Sequence, residues 1–242
     1  EQQYKKAETL FENKKYVEGL KLLLELNESV KKTQNKWLQY KTIFLIGEIH
    51  RKNSNHDKAI SYYKNSLKQL DSILLDGQKM DYSYQKYLAE NLLRLGSRYQ
   101  LLKKNDSAIF YYNKLAKLNS LIDETLDAQA TSYSNMSAIF QKDSTILNYN
   151  EKAIDYAERA IAIHKKRNKK LNEAGAINNL ASVYFNQGDF EKSKRAYFQG
   201  INLIKRDTTT RAIEIKAKLY YNLAWAMRNL KEYEAYDYQE IS

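Results

Sequence analysis

The chain has 242 residues, 43% of them hydrophobic, with seven glycines and neither proline nor cysteine. That composition excludes disulfides, thiolate metal sites and a cysteine nucleophile, and it favours long uninterrupted helices over a turn-rich β fold. The formal charge of +11, from 40 basic and 29 acidic residues, is spread along the chain, so it reads as a solvated lysine-rich exterior rather than a nucleic-acid surface. No apolar run approaches the roughly 18 residues of a membrane span.

Taken in order, helical periodicity divides the chain into pairs. The first pair, over about 1–34, carries Ala7 and Leu10 in one helix, turns near Asn13 and Lys14, and carries Gly19, Leu23 and Leu26 in the next. The second, 36–75, has Ile46-Gly47 and His50, a turn at 53–55, then Ala59 and Tyr63. Residues 76–83 read as a linker. The third, 81–120, has Leu95-Gly96 and Tyr99, a turn at 104–106, then Ala108 and Tyr112. The fourth, 122–169, has Met136-Ser137 and Phe140, an insertion at 141–150, then Ala153, Ala157 and Ala160. The fifth, 171–206, is the clearest. Ile177, Leu180, Ala181 and Tyr184 share one helix face, as do Phe190, Ser193, Tyr197 and Gly200 beyond a turn at 186–189. Residues 207–210 can cap the first helix of a partial sixth pair, 209–242, with Leu223-Ala224 and Met227. A second helix opens near Leu230 and stops short, so the chain is expected to be a fragment of a longer protein.

A lone pair of this kind cannot bury its apolar face and needs neighbours stacked on it. The recurring small residues let helix backbones approach, and the aromatic ones fill the space between. This pattern resembles the tetratricopeptide repeat, W-x-x-L-G-x-x-Y, then A-x-x-x-F, then P, over essentially the whole chain. It departs from the family in lacking the proline. The small residues Gly47, Gly96, Ser137, Ala181 and Ala224 also recur at more than 40 residues, against about 34 in the family, so each helix is expected to be about a turn longer. The resemblance implies an all-α, right-handed superhelical solenoid of antiparallel helix pairs, forming a single array over 1–242. Its first helices would line a concave groove. The long helices and composition are similar to the sensory repeat region of Bacteroidetes-type membrane-bound regulators. That implies a non-catalytic sensory or dimerisation region, periplasmic or cytoplasmic, that passes ligand binding to an output module.

Catalytic motifs are absent from the sequence. His50, His56 and His164 are scattered, with no H-E-x-x-H, phosphate-cradling glycine loop, G-x-S-x-G or dinucleotide fingerprint. No enzyme, metal or cofactor is expected. His50 falls in an interior tyrosine slot. The basic run 164–170 ends a long helix, where positive charge complements the macrodipole. In the doublets Tyr62-Tyr63, Tyr111-Tyr112 and Tyr220-Tyr221 one ring turns inward and its neighbour is left to meet a ligand. The most specific signal is a set of asparagines. Asn135, Asn179 and Asn222 each directly precede the small-residue pair of their repeat. A carboxamide offers donor and acceptor together, so such a column would hold an extended peptide backbone. Arg94 stands at the equivalent place in the third repeat, as an anion contact, and Leu45 in the second. Asn178, Ser182, Tyr221 and Trp225 are expected to flank the groove. Alternatively, the asparagines bond neighbouring helices or water. Two other readings are a basic nucleic-acid-binding array, suggested by charge and 21 tyrosines, and a purely structural assembly spacer; a homodimer is a further expectation.

Overall fold

The structure, a computed structural model, describes residues 1–75, 81–118, 122–142 and 148–231. These residues form eleven α-helices and no strand. The first part of the 76–83 linker, the heart of the 141–150 insertion and nearly all of the second helix of the sixth pair lie outside the described residues. The chain divides into two compact units, Glu1–Thr125 and Leu126–Ser242.

The first unit holds α1 (Gln2–Glu12), α2 (Tyr16–Val30), α3 (Lys36–Lys52), α4 (His56–Leu75), α5 (Tyr82–Leu101) and α6 (Asn105–Ala116). Each helix packs on the next, and α1 also touches α3. Ala7, Leu23, Ile46 and Ile49 form one apolar cluster among α1–α3, and Tyr40, Leu70, Ile73 and Tyr84 a second among α3–α5. Each leucine and isoleucine among them contributes about 1.5–3 kcal/mol on burial. The second unit holds α7 (Asp123–Lys142, which begins at the boundary), α8 (Tyr149–Lys166), α9 (Lys170–Asn186), α10 (Phe190–Leu203) and α11 (Thr210–Asn229). Its core joins Ile177, Ala181, Tyr197, Ile201, Leu219, Leu223 and Met227.

The small residues act as the spacing implies. A Cβ on Gly47 would stand 2.9 Å from the Tyr63 ring, and one on Gly96 2.4 Å from the Tyr112 ring. The tyrosine four residues after each second-helix alanine therefore fills the space that a missing side chain leaves. Where serine stands in the small slot, its hydroxyl bonds the facing backbone: Ser137 Oγ donates to the Ala153 carbonyl at 2.8 Å, and Ser193 Oγ to the Ala181 carbonyl at 2.9 Å.

One turn joins first to second helix in the first, second, third and fifth pairs. The N–H groups of Lys15, Asn55, Lys104 and Asp189 donate to the carbonyls of Leu10, His50, Tyr99 and Tyr184 at 2.8–3.0 Å, closing a Schellman-type end. The residue before each donor is left-handed: Lys14 (φ 60°), Ser54 (57°), Lys103 (58°) and Gly188 (80°). Only the last is glycine, so three turns carry backbone strain of about 1–2 kcal/mol each. At the start of α11, Thr209 Oγ1 accepts from the Ala212 N–H at 3.3 Å, and Asp207 in turn accepts from Thr209. The fold is an all-α helical repeat of antiparallel pairs.

Candidate peptide-binding groove

On α9 the residues 172, 175, 179, 182 and 186 follow each other at three- and four-residue steps, so they share one face. Three clefts of the second unit lie along that face. The first, about 530 Å³, is bounded by Asn172, Lys169 and Lys170 at the start of α9, with Asp127 and Arg211 opposite. The second, about 240 Å³, lies between Thr131 and Ser134 of α7, Gly175 and Asn179 of α9 and Ile215 of α11, with His164 of α8 behind it. The third, about 520 Å³, is bounded by Gln141 of α7, Ser182, Phe185 and Asn186 of α9, Tyr197 of α10, and Asn222, Trp225 and Asn229 of α11. From Asn172 to Asn186 the face runs about 21 Å at the helical rise, the length of about six residues of extended chain.

Asn179, Ser182, Asn222 and Trp225 thus come together along these clefts. Each asparagine spends one donor between helices: Asn179 Nδ2 donates to the Ser134 carbonyl at 3.0 Å, and Asn222 Nδ2 to Asn178 Oδ1 at 3.0 Å. Asn178 is therefore a brace between α9 and α11. Ser182 Oγ donates to the Asn178 carbonyl at 2.9 Å and lies 3.0 Å from the Tyr197 hydroxyl. The carboxamide oxygens of Asn179 and Asn222 accept no hydrogen bond from the described residues. Tyr221 is exposed and sits edge-on to Trp225, 6.4 Å between centroids; Arg228 lies 5.2 Å from the Trp225 ring. Neither Tyr221 nor the half-buried Asn135, which has contacts within the protein, lines any of these three clefts.

Arg94 belongs to the first unit. Its Nε is 2.9 Å from Glu48 and its Nη2 3.2 Å from Glu90. Glu48 is buried, and also binds Arg51 at 2.7 Å and accepts the Tyr63 hydroxyl. Burial alone would raise the Glu48 carboxyl, but Arg51, Arg94 and Tyr63 together hold it below its ordinary range. Glu90 goes the other way: burial and the charge of Glu48 raise it against the pull of Arg94. Two tyrosines expected to face a ligand are packed instead: Tyr62 stacks on His50 at 5.3 Å and Tyr111 on Tyr99 at 5.6 Å.

Sequence reasoning missed Phe185, Asn186, Gly175, His164 and Arg211 in the groove. Stepping three and four residues either way from Asn179 would have found the α9 members; His164, on a second helix, carried no such signal. Among the described residues there is no cluster of three or more metal-ligating side chains, and no helix is long and apolar enough to cross a membrane.

Antiparallel helix pairs, four of them closed by the same turn, with small residues where the helices meet, define a helical-repeat scaffold. Tetratricopeptide-repeat models match three stretches of the chain: one matches residues 89–120 and 174–206, and another matches 42–77. This family is generally a non-catalytic, protein-interaction scaffold. No curated protein matches the sequence. Among solved structures the chain is similar to BtubC (BKLC) from P. vanneervenii, at 16% identity and TM-score 0.71, covering 94% of this chain and 88% of that one. A tetratricopeptide-repeat protein from Parabacteroides merdae is similar at 18% identity and TM-score 0.64, over 99% of this chain and 78% of that one. A Rap protein solved in complex with Competence and Sporulation Factor is similar at 17% identity and TM-score 0.57, over 90% of this chain and 56% of that one. At these identities the likeness is one of fold.

Proposed function

We propose that the groove along α9 holds an extended peptide segment of a partner protein. The observation that carries this reading is the pair of carboxamides, Asn179 and Asn222. Each is fixed in orientation by one donor bond to a neighbouring helix and keeps an unpartnered oxygen beside a cleft. A fixed acceptor can take a peptide N–H with little loss of side-chain entropy. Trp225 and Phe185 supply apolar surface beside it for a ligand side chain. Asn178, Asn135 and Tyr221 act around this groove as supports and rim. The wider role we infer is the sensory or self-association region of a bacterial signal-transduction or transcription regulator, with ligand binding altering helix-pair packing or dimerisation. Support for that role is the fold shared with a Rap protein that was solved with Competence and Sporulation Factor.

A random decapeptide library displayed on phage, selected against the whole 242-residue chain, tests the groove. The enriched peptide is then titrated by calorimetry into the wild type and into a variant with Asn135, Asn179 and Asn222 all changed to alanine. At about 1 kcal/mol per lost hydrogen bond, affinity should fall at least about tenfold. Undiminished affinity in a folded triple variant rules the groove out.

A further inference from the structure

The first unit has a cleft of its own, about 240 Å³, where the first helices of three successive pairs meet. Each gives it one half-buried aromatic ring: Tyr4 of α1, Trp37 of α3 and Tyr87 of α5. The rings of Trp37 and Tyr87 are 5.7 Å apart between centroids and inclined at 53°, so they form a wedge rather than a stack. Behind them Tyr40 is fully buried, stands edge-on to Trp37 at 6.3 Å, and donates its hydroxyl proton to the Tyr87 carbonyl at 3.2 Å. That bond ties α3 to α5, so the wedge is set before a ligand arrives and little ordering is left to be done on binding.

The charges around the wedge favour a cation. The ammonium of Lys41, which lines the cleft, stands 5.9 Å from the centroid of the Tyr87 ring, at the outer limit of a cation–π contact. No carboxylate among the described residues pairs with it. The ring face is therefore open to the cleft, and the chain's own ammonium marks what it attracts. Glu8, also on the lining, accepts the Tyr4 hydroxyl at 3.5 Å and forms no ion pair among the described residues. Burial first, then Glu8, with Tyr87 and Glu90 adding to it, holds the Tyr4 hydroxyl above its ordinary range, as a negative field does. On the exposed rim Glu1 and Lys5 offset one another.

We propose that this cleft binds an organic cation, an alkylammonium or guanidinium group, against the faces of Trp37 and Tyr87, with Glu8 as its counter-charge. A weakly hydrated organic cation gains from a ring face what a strongly hydrated metal ion would forfeit in water. A ligand that approaches the rings more closely than Lys41 does displaces its ammonium. The chemistry is common to two sources, a free quaternary amine and the basic side chain of a partner. The proposal does not rest on the peptide reading, which concerns the second unit.

The whole 242-residue chain, ¹⁵N-labelled, is titrated with choline, a free quaternary amine, and with N-acetylargininamide, a basic side chain without free termini. Dimethylbutanol, the neutral carbon analogue of choline, and sodium chloride at equal ionic strength serve as controls. The chain has two tryptophans. The indole N–H signal of Trp37, assigned by its loss in Trp37→Phe, should move, while that of Trp225 stays. At least one of the cations should bind about tenfold or more tightly than the alcohol. Glu8→Gln should weaken binding about threefold, and Lys41→Gln should tighten it about threefold because the chain's own ammonium no longer competes. Tyr87→Phe keeps the ring and should keep binding, whereas Tyr87→Leu should lose it. Lys41→Gln and Tyr87→Phe decide the matter if Tyr87→Leu does not fold. Whichever cation binds more tightly identifies the source. If neither cation moves the Trp37 signal, if the alcohol binds as tightly, or if Lys41→Gln abolishes binding, the proposal is overturned. Trp225 reports on the groove along α9, so failure of either idea is recognisable by itself.

Discussion

Two helices with the same place in their repeats treat the same face in opposite ways. On α5 the positions Tyr87, Glu90, Arg94 and Ser97 correspond, counted from the small residue Gly96, to Asn172, Gly175, Asn179 and Ser182 of α9, counted from Ala181. In the first unit Arg94 reaches Glu48 and Glu90, and Tyr87 packs against Tyr40 at 5.2 Å and Trp37 at 5.7 Å. Around Arg94 the charges satisfy one another, while Tyr87 lines a cleft of about 240 Å³ with Tyr4, Trp37 and Lys41. In the second unit glycine replaces the glutamate and asparagine the arginine, and the face is a line of clefts. A repeat backbone therefore does not decide whether a face binds. Four side chains on it decide whether the repeat consumes its own polar groups or presents them.

The largest expected effect strikes the face whose charges are paired. Glu48→Gln leaves Arg51 and Arg94 without their buried counter-charge and should destabilise the first unit by about 3–5 kcal/mol, read by urea denaturation together with hydrogen exchange on α3 and α5. Acid should act in the same direction. Because the Glu48 carboxyl is held down in the fold, its stabilisation is present above the ordinary value of 4.5 and is lost as pH falls through the lower folded value. A second unit unaffected by Glu48→Gln, with the first unit weakened, sharpens the comparison; no loss in either breaks it.

Grafting those paired charges onto the open face comes next. Gly175→Glu with Asn179→Arg should reduce affinity for a selected peptide by about 2 kcal/mol, roughly thirtyfold in calorimetric titration. The glycines then separate the two kinds of gap. Gly96→Ala forces a methyl against the Tyr112 ring and should cost about 1–3 kcal/mol, whereas Gly175→Ala adds a methyl in open space and should stabilise α9 by about 0.5–1 kcal/mol. Smallest are the turns. Lys103→Gly relieves a left-handed lysine and should gain about 0.5–1 kcal/mol, while Gly188→Ala should lose a similar amount; thermal midpoints of the pair check both signs.

Much of the scaffold was legible because it rests on local rules. The small residues Gly47 and Gly96 with Tyr63 and Tyr112, and the threonine cap ahead of α11, each announce themselves within a few residues. The left-handed lysines Lys14 and Lys103 did not, since nothing in a lysine signals positive φ; the recurring backbone bond across the turn imposes it. Nor did the partners of Arg94 show, because Glu48 lies a full repeat away and only stacking brings the two together. The expectation that Tyr62 and Tyr111 would face a ligand overlooked the ring each finds on the preceding helix, His50 or Tyr99. Along the clefts, Asn179 and Asn222 were readable from their position before the small pair, whereas Asn135, in the same position, lines none of the three. His164 was not, because it reaches the cavity from a second helix.

The two tryptophans offer the most direct measurement, since Trp37 belongs to the first unit and Trp225 to the open groove of the second. In an ¹⁵N-labelled chain titrated with a library-selected peptide, the indole N–H signal of Trp225 should move while that of Trp37 stays in place. A peptide that binds tightly yet leaves the Trp225 signal unmoved, or shifts Trp37 instead, contradicts the account.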